Sequence, residues 1–414
     1  MRPALLALAG LTIAASAPAT GLAVWGPGVP VAAPDGGSLS SADVASGAGG
    51  RAVAAWVRAD GGGAGRVHVA AGTRGRWTPA RPVSGRGASR PRTAINSLGD
   101  AAVAWVNGRL IVATVRRGPA GRWSRARVAE AGGTIQDLRI AIDRVGRPAL
   151  LWSEAMGSGF VARVASRASA RAGWSVRPAR ISTPGPTPPA LALGPGSGAL
   201  VAWTEGSRAL ASRTVRGGFE GPREIAGEAG ARPAVAIART GAVLTAWSAR
   251  LPGGTSVVLA AGRGDPGQDW SDAEDVGIGA TPVAALNEDG DAVVAWSLSA
   301  AGGPQGIESA TRSGGGAWRA STVVARGACE CSLRVAGVGV DDDGTALVAW
   351  RRDEQGRAPG GGVAALPAGR DDWERAPVGS GRPDATPAVS AAGGAAIALW
   401  ATSRDGVRAA VLSR

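Results

Sequence analysis

The 414-residue chain contains no tyrosine and no lysine, a single histidine, two cysteines and two phenylalanines. Each shortage removes a class of chemistry. With His68 as the only imidazole, a Ser/His/Asp triad or a histidine-based zinc centre lacks its residues; His68 stands in Val67-His-Val69 and reads as a strand residue. Cys329 and Cys331, in Ala-Cys-Glu-Cys, are too few for a structural zinc site and read as a local disulfide pinning a loop of an exported chain. No phosphate-binding or dinucleotide motif occurs in a strand-to-helix context. No apolar run is long enough to span a bilayer. The N-terminus instead reads as a secretory leader: Arg2, an apolar stretch from Ala4 to Ala15, then Ala17-Pro18-Ala19 at the cleavage position. The expectation is a leader of residues 1–19, a mature chain of residues 20–414, an extracellular location and no stable membrane insertion.

All 45 basic residues are arginine, and the formal net charge is +13. The excess belongs to a composition dominated by Ala, Gly, Val, Pro and Arg, of the kind a GC-rich coding sequence produces. Charge alone therefore does not point to nucleic acid, and none is expected as a partner. The charge is also unevenly spread. Residues 51–130 carry 15 Arg against Asp60, Asp100 and Glu130, a net of +12; residues 261–360 carry 8 Arg against 15 acids, a net of −7.

The informative residue is tryptophan, of which there are 15. Eight small-apolar runs end in Trp56, Trp105, Trp152, Trp203, Trp247, Trp296, Trp350 and Trp400, spaced 44–54 residues apart. A period of that size denotes a repeat architecture. A Gly stands six residues before seven of these Trp, with Ser197 the exception, and a second aromatic follows 16–23 residues after seven of them. Within residues 282–325, four short apolar runs are separated by Gly- and Pro-containing turns, the pattern of a four-stranded antiparallel meander. No run has helical periodicity. Repeats of this kind are propeller blades.

The predicted fold is therefore all-β, a single β-propeller of eight four-stranded blades; seven blades would require one repeat to be false. The eighth repeat ends before its second aromatic, but Trp25 precedes Trp56 by 31 residues, and the equivalent gap elsewhere is 26–32. The N-terminal strand is thus expected to complete the last blade, which removes an open sheet edge.

The strand-turn-Trp segments resemble the Asp-box (BNR repeat) of sialidase-type propellers, Ser/Thr-x-Asp-x-Gly-x-x-Trp. Asp265-Pro-Gly267-Gln-Asp-Trp270 keeps Asp, Gly and Trp at the family offsets; Thr311-Arg-Ser313-Gly-Gly315-Gly-Ala-Trp318 keeps Thr, Gly and Trp with Ser in place of Asp. The remaining boxes retain little beyond the aromatic. The resemblance implies the propeller fold. It does not carry over the family's catalysis, which uses a Tyr nucleophile that this chain lacks.

Candidate sites follow from the repeat. Residues just after each strand-end Trp should approach the channel mouth: Arg58, Asp60, Asn107, Glu154, Glu205, Arg250, Arg351, Asp353 and Arg404. Glu154 and Glu205 occupy equivalent positions in adjacent repeats, as an acid/base pair for glycoside cleavage would require. The strand-end Trp residues, placed identically in every repeat, read as packing between blades rather than as sugar platforms. Arginines near the end of the third runs (Arg74, Arg117, Arg167, Arg216, Arg263, Arg312, Arg370 and Arg414) should form a basic rim on the opposite face. Asp289 and Asp291, with Asp341 and Asp343, are the candidate oxygen ligands for Ca²⁺. Only two of the eight turns carry them, so no cofactor is expected. The functional expectation is a secreted binding module without catalysis, for a glycan, an anionic cell-wall polymer or a protein. A glycoside hydrolase or lyase using mouth carboxylates, and an envelope scaffold, are the alternatives.

Overall fold

The computed structural model describes residues 24–413 except 35–36, 60–62, 170–171, 186, 195–197, 216–217, 228, 231, 265–267, 299–304, 328–330, 355–359, 377–385, 393–394 and 403–404. The leader, Asp60, Cys329 and Arg404 lie outside the described residues, and so does the expected Cys329–Cys331 disulfide.

Eight antiparallel sheets are arranged in a ring. The chain is an eight-bladed β-propeller. Blade 6 is representative: strands Ala280–Leu286, Ala292–Leu298, Gly306–Arg312 and Thr322–Arg326 pair in chain order as a meander. The first strands of the eight blades are Ser38–Gly47, Ala88–Ile95, Ile135–Ile142, Ala190–Leu193, Ala234–Ile237, Ala280–Leu286, Cys331–Val340 and Ala388–Ala392. Each touches the first strand of its neighbours all the way round, so these eight strands line the centre.

Ring closure follows the predicted three-plus-one scheme. Blade 8 contributes three strands from residues 388–413, and the N-terminal segments Val24–Trp25 and Val29–Ala32 both pair with its third strand, Gly406–Ser413. At the inner seam, Ser46 of blade 1 and Ser390 of blade 8 meet through their hydroxyls at 3.0 Å, and Ser46 N–H donates to Ser390 Oγ at 2.9 Å.

The seams between blades explain the small-apolar runs. Each second strand is buried on both faces; in blade 2, Ala101 to Trp105 are all buried. Alanines let neighbouring sheets approach, and the terminal Trp fills the space that remains. All eight strand-end Trp are at most 9% exposed. Trp152 packs with Ala104, Ile111 and Val115 of blade 2, and Trp56 packs with Ile397, Leu399 and Val407 of blade 8. These rings are spent on packing, as their repetition predicted, and offer no stacking surface to a sugar.

The fit leaves no spare volume around Trp296. Its indole N–H donates to the Ile278 carbonyl in blade 5 at 2.8 Å. The flanking Gly277 and Gly279 hold φ of +150° and +153°, and a Cβ on Gly279 would lie 2.1 Å from Trp296 Cδ1. Gly279→Ala is therefore expected to destabilise the fold by about 1–3 kcal/mol from overpacking alone, with backbone strain in addition. Chemical denaturation of the variant against wild type measures it.

Candidate functional site

The first strands do not run regularly into the channel. Registers shift between Ser40 and Asp43, Ser89 and Arg92, Ile135 and Asp137, and Ala280 and Val283. These are β-bulges, which bend a strand and re-aim its side chains. Three bulges place a non-glycine residue at positive φ: Ser41 (48°), Arg90 (52°) and Thr281 (53°). Each lies 15 residues before the Trp of its own blade. The same backbone strain thus recurs at one point of the repeat, at the end of the channel where the first strands begin.

The bulges gather a charged network at that mouth. Asp137 lies within 3.1 Å of Arg139, 3.4 Å of Arg232 and 3.8 Å of Arg92, while Arg92 also reaches Asp43 at 4.0 Å. The same arginines tie innermost strands together through backbone carbonyls. Arg90 donates to Ile135 and Gln136, Arg92 to Leu138, Arg139 to Leu191 and Arg232 to Pro189, at 2.7–3.2 Å. The side chains of Arg139 and Arg232 are 37% and 41% exposed.

Asp43 accepts from Thr93 N–H and Oγ–H, both at 2.7 Å. Burial against the innermost strands pushes its carboxyl above the ordinary carboxylate range, with Arg92, Thr93 and Arg139 pulling the other way. Burial likewise lowers the Arg139 guanidinium, with Asp137 opposing.

Beside this network a cavity of about 830 Å³ opens along the first strands of blades 3 to 7. Arg139, Arg232 and Arg334 come to it from three different blades. Leu191, Val235 and Pro282 are among the apolar groups on its wall, and no carboxylate and no aromatic is found among the described residues that line it. Arg334 is exposed. An anion entering here meets three guanidinium groups, of which Arg139 and Arg232 share the Asp137 carboxylate behind them and Arg334 is exposed.

None of the described residues expected at the mouth from the sequence lines this cavity. Asn107, Glu205 and Arg250 stand at the second-to-third-strand hairpins, one strand farther from the axis. Arg58 is at the end of its second strand, and Arg351 pairs with Asp353 at 2.5 Å. Glu154 and Glu205 differ in environment although their offsets from Trp agree. Glu154 is fully buried, held by Arg163 Nε at 2.6 Å and Gly132 N–H at 2.6 Å. Glu205 is exposed beside Arg208 at 3.7 Å. The hairpin of blade 3 turns at Met156–Gly159, two residues farther beyond Glu154 than the turn of blade 4 lies beyond Glu205, so one glutamate is enclosed and the other is at the tip.

The acidic turns have internal partners. Asn287 Oδ1 accepts from Asp289 N–H and Asp291 N–H, its amide donates to the Asp341 carbonyl of blade 7 at 2.7 Å, and Asp291 accepts from Gly314 N–H. Asp341 Oδ1 accepts from Asp343 N–H and Thr345 N–H. Among the described residues no three His, Cys, Asp or Glu side chains gather to hold a metal. Of the third-run arginines, Arg167 and Arg312 stack on Trp174 and Trp318 of their own blades, at 5.8 and 4.9 Å from the ring centres. Arg263 is buried against Glu220 at 3.1 Å, so the rim is only partly a free basic surface.

No protein-family model matches the sequence, and no curated relative matches it. Solved structures show a partial likeness. The β-propeller domain of the Trilobed protease from Pyrococcus furiosus is 13% identical over 82% of this chain and 98% of its own, with a TM-score of 0.46. An ulvan lyase of a polysaccharide lyase family is 11% identical over 91% of this chain and 94% of its own, with a TM-score of 0.47. AofleA from Arthrobotrys oligospora is 10% identical over 69% and 87%, with a TM-score of 0.42.

The Asp43 environment makes a pH prediction. A carboxyl whose folded pKa is raised contributes stability while protonated and loses it as pH rises through that pKa. Asp43→Asn, which keeps an acceptor for Thr93, should therefore be more stable than wild type at neutral pH. The gain should close as the pH falls through the folded Asp43 value, above the ordinary ~3.9. Paired denaturation curves across pH check this.

Proposed function

We propose that the chain is an exported, non-catalytic binding propeller of the sialidase type, and that it takes an anionic glycan or cell-wall polymer at the channel mouth. One observation carries the reading: three arginines from three blades converge on one cavity that no carboxylate lines among the described residues. Uronate and sulfate groups match guanidinium donors in charge and geometry. The sialidase-type reading draws support from the position of the Thr311–Trp318 box between the third and fourth strands of blade 6, with Arg312 stacked on Trp318.

The absence of catalysis is inferred from the carboxylates. Glu154 is fully buried, with one oxygen bonded to Arg163 and the other to Gly132 N–H, so its carboxylate is not presented at the surface, and Glu205 is solvated at a hairpin tip. The bulge network is instead a preorganised receptor: its arginines are fixed by carbonyls of neighbouring strands before any ligand arrives, which lowers the ordering cost of binding.

The test is a binding array of neutral, carboxylated and sulfated polysaccharides with residues 20–414 at low and moderate salt. Selective retention of an anionic class at moderate salt is expected, and Arg139→Ala with Arg232→Ala should weaken it about tenfold or more, as lost charge-assisted hydrogen bonds do. Equal binding by the double variant, or retention only at low salt, would show that diffuse surface charge and not this cavity is being read.

A further inference from the structure

The face opposite the channel mouth carries a second kind of surface. The first-to-second-strand turns of blades 2 and 3 are Asn96-Ser-Leu-Gly-Asp100 and Asp143-Arg-Val-Gly-Arg147, each beginning nine residues before the Trp of its blade. Leu98 and Val145 stand at their tips, 63% and 60% exposed. The same position in blades 5, 6 and 7 holds Thr240, Asp289 and Asp343. The aliphatic tips are therefore not dictated by the turn.

They are also held in place. Asn96 Oδ1 accepts from Leu98 N–H and Asp100 N–H, and its amide donates across the seam to the Asp143 carbonyl at 2.9 Å. Asp143 Oδ1 accepts from Val145 N–H and Arg147 N–H, and Arg117 donates to the Val145 carbonyl at 2.6 Å. Arg51 donates to the Ser97 carbonyl at 3.0 Å. Two turns from adjacent blades are thus joined into one platform that cannot fold its leucine and valine inward.

The charge around the platform has one sign at the surface. Arg144 is exposed and Arg51 half-buried, and the exposed Arg117 and Arg147 are ion-paired with the buried Asp100 and Asp143 of these turns at 3.3 and 2.6 Å, so four guanidinium groups stand against two enclosed carboxylates. We propose that this face of blades 2 and 3 docks on an anionic lipid surface, with Leu98 and Val145 entering the headgroup layer and the surrounding guanidinium groups meeting phosphates. Apolar insertion combined with basic attraction is the pairing that peripheral membrane contact requires. A soluble polyanion would satisfy the arginines but would leave two rigid aliphatic tips in water. The turns of blades 6 and 7 on the same face expose Asp289, Asp342 and Asp343, so contact is confined to the basic side of the disc. The channel mouth is on the other face and stays open, so the inference stands independently of the ligand proposed there.

Co-sedimentation of residues 20–414 with vesicles of phosphatidylcholine alone, and of phosphatidylcholine mixed with phosphatidylglycerol, tests it. Binding to the anionic vesicles only is expected. Leu98→Ser with Val145→Ser should lower the apparent affinity about fivefold or more with an unchanged melting curve, because the substitutions are at exposed tips. Arg144→Gln should weaken binding and reduce its salt dependence. Failure to bind anionic vesicles overturns the proposal, as does full binding by the double variant. A self-associated species that the double variant abolishes, without vesicle binding, would assign the platform to a second copy of the chain.

Discussion

The seam between blades is the constraint on which the rest of this molecule depends. A four-stranded blade has two apolar faces and is not stable in water alone, so every blade must press both faces against neighbours. Here that is done with alanine and tryptophan. The small residues bring sheets close, and one indole per seam fills the remaining gap, as with Trp152 against blade 2 and Trp296 against Ile278, Gly277 and Gly279. Because the same solution recurs in blades 1 and 8, the seam also closes the ring. The N-terminal strands contribute Trp25 to that end, its indole N–H bonded to the Glu374 carbonyl of blade 7 at 3.1 Å.

Once the seams hold the blades, the innermost strands are relieved of the need to pack on a central core, and they carry bulges and charge. Repeated bulges tilt Arg90 and its neighbours across the inner seams, where they bond to carbonyls of the adjacent first strand. Arg90 and Arg92 span the inner seam of blades 2 and 3, Arg139 that of blades 3 and 4 and Arg232 that of blades 4 and 5, and Arg139 and Arg232 also line the cavity. One residue type thus ties the inner strands together and lines the cavity, and the strain at Arg90 and Thr281 is offset by the surrounding hydrogen-bonded sheets.

The two ends of the channel differ in character for a simple geometric reason. At one end the first strands begin, and bulges present arginine and aspartate. At the other, tight Asn- or Asp-initiated turns consume their own polar groups, as Asn96, Asp143, Asn287 and Asp341 do, leaving only the tip residue of each turn free to vary. Leucine, valine or aspartate at that tip changes the surface without disturbing the turn, so one face of a regular ring acquires a basic, apolar side and an acidic side.

The architecture was legible in the sequence because it is a periodic property: the spacing from Trp56 to Trp400, the glycine six residues earlier and the displaced Trp25 together determined blade number, strand order and closure. The burial of the tryptophans followed from the same repetition. The arginines of the cavity did not follow, because they share no register: Arg139, Arg232 and Arg334 lie 13, 15 and 16 residues before the Trp of their own blades. Only the charged network beside the cavity has a periodic trace, with Asp43, Arg92 and Arg139 each 13 residues before their own Trp. What decided the site was tertiary. A bulge changes which way a side chain points without changing its count along the chain, a cavity exists only where several blades meet, and Glu154 became buried while Glu205 stayed exposed because two hairpins differ by two residues in length. Local spacing encodes the repeat, whereas charge convergence and burial arise only when blades distant in sequence surround one axis.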